Sequence, residues 1–491
     1  MMTYLTIALI ALLLVLLFAV ITPSSKNVNT AKYKYSFALT AGKKKLLFRD
    51  PFDNFLVYGG ANSGKTKSIG KPLLKQYIEA GFAGMIYDYK DYDLTDTAYH
   101  FTKKTSYPYK FYYLSFTDLN RTHRTNPINP AILDENLFLQ VIDDLLTAYN
   151  SGEGAKRDEW FNGALGILKG IAIRFYKDFP EYCTIPHICI YACSAGATRI
   201  TEFVEQCVEA RILASAFLDA KDSPKTQSSY LSSLTNLLSA LAFNKQIAYV
   251  LSGNDFDFNL IDPKEPKLLS VVNSYQIENV LSPIIALMVS VSSRRFTMEN
   301  EIPFVYFFDE ATTFKIADFE KMPSVLREYK CSFTFLTQSA AKVEKRYGRL
   351  DRSSIEANFG NQFFGRTKDV EALKTYPKLF GRYDKQRTSK TTGSSRGGSN
   401  KSRTVSIQRE DVYESDFFTK LESGRFVGVT AHSNMSRFDL RFDMYQEEEE
   451  KAPTVRYLLT NEVEASYANI LKQVNSLSEG QEEILTPHLE E

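Results

Sequence analysis

The stretch "GGANSGKT", Gly59 to Thr66, satisfies the pattern G-x-x-x-x-G-K-[ST]. Gly59, Gly60 and Gly64, with Ala61, Asn62 and Ser63 among them, let backbone N–H groups turn inward and cradle phosphate oxygens. In such a loop Lys65 reaches the β- and γ-phosphates of a nucleotide such as ATP, and Thr66 holds Mg2+. A second set lies far along the chain, where "FVYFF" runs into Asp309 and Glu310. Asp309 there completes the Mg2+ shell. Glu310 orients and polarises the attacking water, because phosphoryl transfer needs mainly placement and charge stabilisation. The plain alternative, a helix N-cap followed by a surface acid, makes the pairing with a phosphate loop a coincidence. A third stretch, "LREYKCSFTFLTQS" (Leu326 to Ser339), ends an apolar strand on Gln338 and carries Arg327 one turn before its helix gives out.

These groups work together only if the fold gathers them at one edge. "DNFLVYGG" reads as a buried strand before the phosphate loop, and "TKSIGKPLLKQYIEAG" as a helix closed by Gly81. "GMIYDYKDYDL" and "YKFYYLSF" supply further strands, and after a long interruption "KLLSVVNSY", "FVYFFDE" and "CSFTFLTQS" supply three more. Strands alternating with helices predict a mainly parallel α/β sheet, whose C-terminal edge collects ligands. Consecutive βαβ strands usually neighbour each other, which places Gln338 beside Asp309, within reach of a γ-phosphate or its water. Arg327 then faces away from its own site. It is either an arginine finger for a neighbouring subunit or a solvated cation favoured by the helix dipole.

The interruption, from about Asn136 to Asn244, is almost wholly helical in period, so an all-α domain is expected inside the α/β domain. The expected organisation is a transmembrane helix over 4–22, a basic juxtamembrane linker over 23–50 and a nucleotide-binding domain in two parts, 51–131 and 246–445. The all-α domain occupies 132–245 and an acidic C-terminal tail 446–491. That tail carries an amphipathic pattern at Val463, Tyr467, Leu471 and Val474, before the disorder expected of its last residues, "EGQEEILTPHLEE". Residues 4–22 carry no charge and come close to spanning a hydrocarbon core of roughly 30 Å. Lys26, Lys32, Lys34, Lys43, Lys44, Lys45 and Arg49 follow, which predicts a cytoplasmic location for everything downstream. The 491 residues carry a net charge of only +1, so the overall balance excludes neither a nucleic acid nor a membrane partner. Cys183, Cys189, Cys193 and Cys207, with His187 among them, lack zinc-site spacing and are expected to be buried thiols. "KQRTSKTTGSSRGGSNKSRT" (Lys385–Thr404) reads as a basic mobile loop or a hairpin tip, either solvated or in contact with nucleic acid.

The combination of "FFDEATTF" with "LREYKCSFTFLTQSAAKVEKRYG" resembles the ATPase core of type IV secretion and conjugation coupling proteins, the TraG/TraD class. "RTNPINP", "DEWFNGALGILKGI", "NQFFGRTKDVEALKTYPKLFG" and "FFTKLESGRFVGVTA" extend the resemblance over roughly residues 50–445. It implies a RecA-like P-loop fold in a membrane-anchored, hexameric ATPase of the inner (cytoplasmic) membrane. Such motors use ATP and Mg2+ to deliver relaxase-bound DNA to a type IV secretion channel. Matched by position, Lys65 and Thr66 are the phosphate-loop lysine and metal ligand, Asp309 and Glu310 the Walker B pair, Arg327 the trans-acting arginine and Gln338 the γ-phosphate sensor. Two departures stand out. The family commonly has two membrane helices, against one here, and "DYKDYDL" replaces its Asp-Pro-Lys-Gly-Glu. The alternatives are an ATP-gated receptor for secreted proteins and a FtsK- or HerA-like duplex translocase.

Overall fold

Continuous apolar strands need cover on both faces, and the computed structural model, which describes residues 34–150, 156–395 and 398–479, provides it. The strands in chain order are β1 (Phe37–Ala41), β2 (Lys44–Phe48), β3 (Phe55–Tyr58), β4 (Ala83–Asp88), β5 (Lys110–Ser115), β6 (Lys267–Val272) and β7 (Phe304–Phe308). They continue with β8 (Cys331–Thr337), β9 (Asn361–Phe364), β10 (Arg382–Ser395), β11 (Gly398–Asp411), β12 (Arg425–Val429) and β13 (Arg437–Arg441). Nine form one sheet in the order β13-β12-β9-β3-β8-β7-β4-β6-β5. From β9 to β5 all pairs are parallel, and at one edge β12 pairs antiparallel with both β9 and β13. β3, β4, β6, β7 and β8 are buried along their whole length.

Between β5 and β6 the chain folds only into helices, the longest being Glu135–Tyr149, Glu159–Asp178 and Pro224–Ala242. Asp134, Asp158, Thr184 and Asn244 cap four of these helices by accepting from backbone N–H groups of the first turn. Helix Glu159–Asp178 is packed closely on its glycines. A Cβ on Gly163 would sit 2.3 Å from the Tyr230 ring, and one on Gly166 2.7 Å from the Leu213 carbonyl oxygen. Cys183, Cys189 and Cys207 are buried here and Cys193 half-buried, all as free thiols.

One segment departs from the sequence reading. Residues 23–50 were expected to be a linker, but β1 and β2 form an antiparallel hairpin that buries Phe37, Leu39, Leu46 and Phe48. The period-two pattern of those four residues decides the fold. Lys43, Lys44 and Lys45 merely sit exposed at and just after the turn. Gln76 of helix Lys71–Glu79 clamps the hairpin through both the N–H and the C=O of Ala38. The expected membrane helix, residues 4–22, lies outside the described residues.

The acidic C-terminal segment carries its amphipathic pattern, Val463, Tyr467, Leu471 and Val474, on one helix. Up to Glu479 it is folded: Glu447 pairs with Lys75 and Lys104, and Glu449 with Lys71. The chain then reaches the helical region, where helix Glu462–Glu479 buries Tyr467, Ile470 and Val474. The carboxylates of this segment neutralise lysines of the sheet-covering helices. Ile470→Ala is expected to cost about 2–4 kcal/mol, read as a lower urea midpoint; an unchanged midpoint would show the helix to be dispensable.

Candidate nucleotide and metal site

β3 ends at Tyr58 and β8 at Thr337, directly opposite each other, so the loop after β3 and the residue after β8 emerge together. Gly59 N–H donates to the Thr337 carbonyl at 3.1 Å, and Gly60 N–H to the Arg366 carbonyl beyond β9 at 2.8 Å. Arg366 also donates to the carbonyl of Ala61 at 3.2 Å, bracing the loop from its other side. Gly64 has φ +89°, and a Cβ there would meet the Gly424 nitrogen at 2.8 Å, so only glycine fits this turn. The chain then winds directly into a helical turn over Lys65–Gly70.

The carboxylates of Asp309 and Glu310 reach the same edge from β7, the neighbour of β8. Lys65 Nζ lies 2.5 Å from Glu310 Oε1, and both side chains are buried. Glu310 holds φ +47°, a left-handed conformation costly for a residue with a side chain and typical of functional strain. Asp309 Oδ2 accepts from Lys90 Nζ at 2.9 Å, and the same ammonium donates to Thr66 Oγ1 at 3.2 Å. Burial pushes the Asp309 carboxyl above the usual range, against the pull of Lys90 and Lys65.

Gln338 lies at the mouth of a cavity of about 700 Å³, which Glu310, Thr312, Tyr89, Glu278 and Arg346 also line. Its amide has no hydrogen-bond partner among the described residues. The structure thus brings together Lys65, Thr66, Asp309, Glu310 and Gln338. Arg327 stands apart, in the turn that precedes β8, at the opposite edge of the sheet. The seven residues of β8 separate the two ends by about 20 Å. Arg327 Nη2 contacts Asp53 Oδ1 at 2.6 Å and Asp50 Oδ2 at 3.3 Å, and Asp53 Oδ2 also meets His432 Nδ1 at 2.6 Å.

Lys90, to which the sequence alone assigned no role, is the further residue at this site. It belongs to the "DYKDYDL" turn, and Asp91, at the position where the resembling family has Gly, keeps a glycine-like φ of +43°. Asp88 fixes this turn by accepting from the Lys90, Leu94 and Thr95 N–H groups. Burial pushes its carboxyl up to about 6, with the Thr95 hydrogen bonds holding it back. The signal was the placement of Lys90 just beyond β4, which pairs with β7.

The loop fits a polyphosphate. Ser63 Oγ is buried without a partner, and a Cβ on Gly59 would sit 2.3 Å from it. The Thr66 hydroxyl and the Asp309 carboxylate converge on one ammonium, which is the donor set of a divalent cation.

The type IV secretory system conjugative DNA transfer family model matches residues 19–416. Among solved structures, the bacterial conjugative coupling protein TrwBdeltaN70 superposes with a TM-score of 0.66 at 17% identity, covering 85% of this chain and 91% of that one. The plasmid coupling protein TrwB in complex with ADP and Mg2+ gives 0.62 at 16%, covering 82% and 88%. VirB4 of Thermoanaerobacter pseudethanolicus gives 0.51 at 11%, covering 83% and 96%. No curated protein matches significantly in sequence. The structural likenesses establish the expected fold class, a mainly parallel P-loop sheet with helices. The family match extends over most of the chain, which therefore belongs to the type IV secretory system conjugative DNA transfer family.

Proposed function

We propose that this chain is the coupling ATPase of a conjugative DNA-transfer system. The observation that carries the reading is the convergence of Lys65 and Thr66 with Asp309 and Glu310 at one sheet edge, in a chain of the DNA-transfer family. The N–H groups of Gly59 to Thr66 and the Lys65 ammonium bind and orient the phosphates of ATP. Thr66 and Asp309 hold Mg2+, which when bound neutralises charge on the phosphate oxygens. Glu310 leaves Lys65, orients the attacking water and accepts its proton, while Gln338 senses the γ-phosphate from the neighbouring strand.

The same reading assigns the motor unit to residues 51–131 and 246–445, with the helical unit of 132–245 inserted. Residues 4–22 anchor it to the cytoplasmic membrane beside a type IV secretion channel. The partners are DNA and its relaxase, and the working assembly is a homo-hexamer, in which Arg327 serves the site of the next subunit.

Lys65→Ala tests the reading. Nucleotide affinity is expected to fall by more than tenfold and plasmid transfer from cells carrying the variant to cease. Leaving Glu310 buried and unpaired costs about 3–5 kcal/mol, so a thermal melt must show the variant still folded at the assay temperature. Normal transfer by a folded variant with no ATPase activity would overturn the motor.

A further inference from the structure

β10 and β11 form a two-stranded sheet of their own, paired over their whole length from Arg382↔Asp411 to Ser395↔Gly398. At about 3.4 Å per residue the ribbon is about 44 Å long. Its side chains from Arg382 to Lys390 and from Arg403 to Arg409 are exposed. An isolated hairpin in water is marginal at best, so this ribbon is a surface built to be covered.

Its charge says by what. From Lys385 to Arg409 the sequence contains Lys385, Arg387, Lys390, Arg396, Lys401, Arg403 and Arg409 and no acidic residue. At the base the cations are answered: Lys385 and Arg387 by Glu410, and Arg409 by Asp384. Beyond the base they are not. Lys390 and Arg403 lie directly opposite each other across the strands, and neither has an ion-pair partner among the described residues. Like charges so placed repel, and an anion between them removes the penalty.

We propose that this ribbon is a DNA-backbone arm, with Lys390 and Arg403 as its central phosphate contacts and Arg409 further along the same face. The proposal rests on the DNA-transfer reading and adds the surface that meets the duplex. A two-stranded ribbon matches the width of the major groove, and about 44 Å spans slightly more than one duplex turn. Thr388 shares the face of Lys390 and Arg403 and is a phosphate donor of the kind that sets register on a duplex, while Val405 and Ile407 stand exposed on that face toward the base. A lipid surface fits less well. The distal sequence "TTGSSRGGSNKS" offers no apolar side chain to insert into a bilayer.

The test uses the full chain and two variants: K390A/R403A, and a shortened ribbon in which residues 387–406 are replaced by Asn-Gly, a turn suited to a hairpin. Binding to a duplex of about three helical turns is measured across a salt series, with nucleotide binding as the folding control. For K390A/R403A the slope of log K against log salt is expected to fall by about 2, since each lost phosphate contact removes ~0.9. Affinity is expected to fall on the order of tenfold at low salt, and further for the shortened ribbon, with nucleotide binding unchanged. Wild-type affinity and slope in both variants would overturn the arm while leaving the DNA-transfer reading intact. Failure of the unmodified chain to bind the duplex would sink both. If the variants keep duplex binding but lose binding to phosphatidylglycerol vesicles, the ribbon belongs to the membrane instead.

Discussion

Glu310→Gln is expected to slow ATP turnover by ~10²–10⁴-fold while nucleotide remains bound. The substitution keeps the volume and a hydrogen-bonding oxygen but removes the charge that pairs with Lys65 at 2.5 Å. In the structure that carboxylate competes with phosphate for the same ammonium, so losing it leaves Lys65 free for the nucleotide. Affinity should hold or tighten. Gln tolerates the left-handed φ of +47° no worse than Glu, which keeps the backbone of the turn in place. What is lost is the group able to take a proton from water. Phosphate release and the Kd of a fluorescent ATP analogue, measured on the same preparation, separate the two effects. Turnover within tenfold of the unmodified protein would remove Glu310 from the chemistry. Weakened binding with proportionate loss of rate would make it a structural partner of Lys65 instead.

That pair was legible before any coordinates, because each half of the site sits at the end of an unbroken apolar strand. "FLVYGG" and "FVYFFDE" state both the strand and the edge at which it stops. Gln338 followed from the same logic, since β7 and β8 are successive strands and do pair. Lys90 did not follow. Its reach to Thr66 and Asp309 depends on β4 lying against β7 although more than two hundred residues separate them. It depends also on a turn held by Asp88, whose hydrogen bonds leave no periodic trace. Arg366 was hidden for the same reason: it braces the phosphate loop because β9 is inserted beside β3 from late in the chain. The hairpin at 37–48 was obscured by charge, whereas the helix at 462–479 was legible in the spacing of Val463, Tyr467, Leu471 and Val474. Lys43, Lys44 and Lys45 break the hairpin's apolar period at its turn, but Phe37, Leu39, Leu46 and Phe48 decide its burial. Local apolar period was readable elsewhere. Long-range pairing and ion-pair neutralisation were not.

Arg327→Ala is expected to lower the turnover of assembled rings by ~10³–10⁵-fold, the range for loss of an arginine finger, with nucleotide affinity nearly unchanged. Arg327 stands about 20 Å from the end of β8 that carries Gln338, so it has no route to its own site. The side chain is exposed enough to leave its partners, being 43% accessible, and Asp53 keeps His432 when it goes. Asp53 is buried, so losing the cation beside it should lower the melting temperature, tempered by the His432 contact that remains. A purely structural cation at this position predicts the same fall in melting temperature with normal turnover. Complementation decides between them. Arg327→Ala subunits keep an intact Lys65, Asp309 and Glu310, whereas Glu310→Gln subunits keep an intact arginine. If the arginine acts across the interface, each variant alone is inactive, and mixed rings recover activity where the two meet in the productive order. If it acts only within its own subunit, mixing two inactive chains restores nothing. Arg327→Lys sharpens the result, because a lysine retains the charge facing Asp53 without the planar fork that grips a phosphoryl group. It should preserve the melting temperature and still fail in turnover.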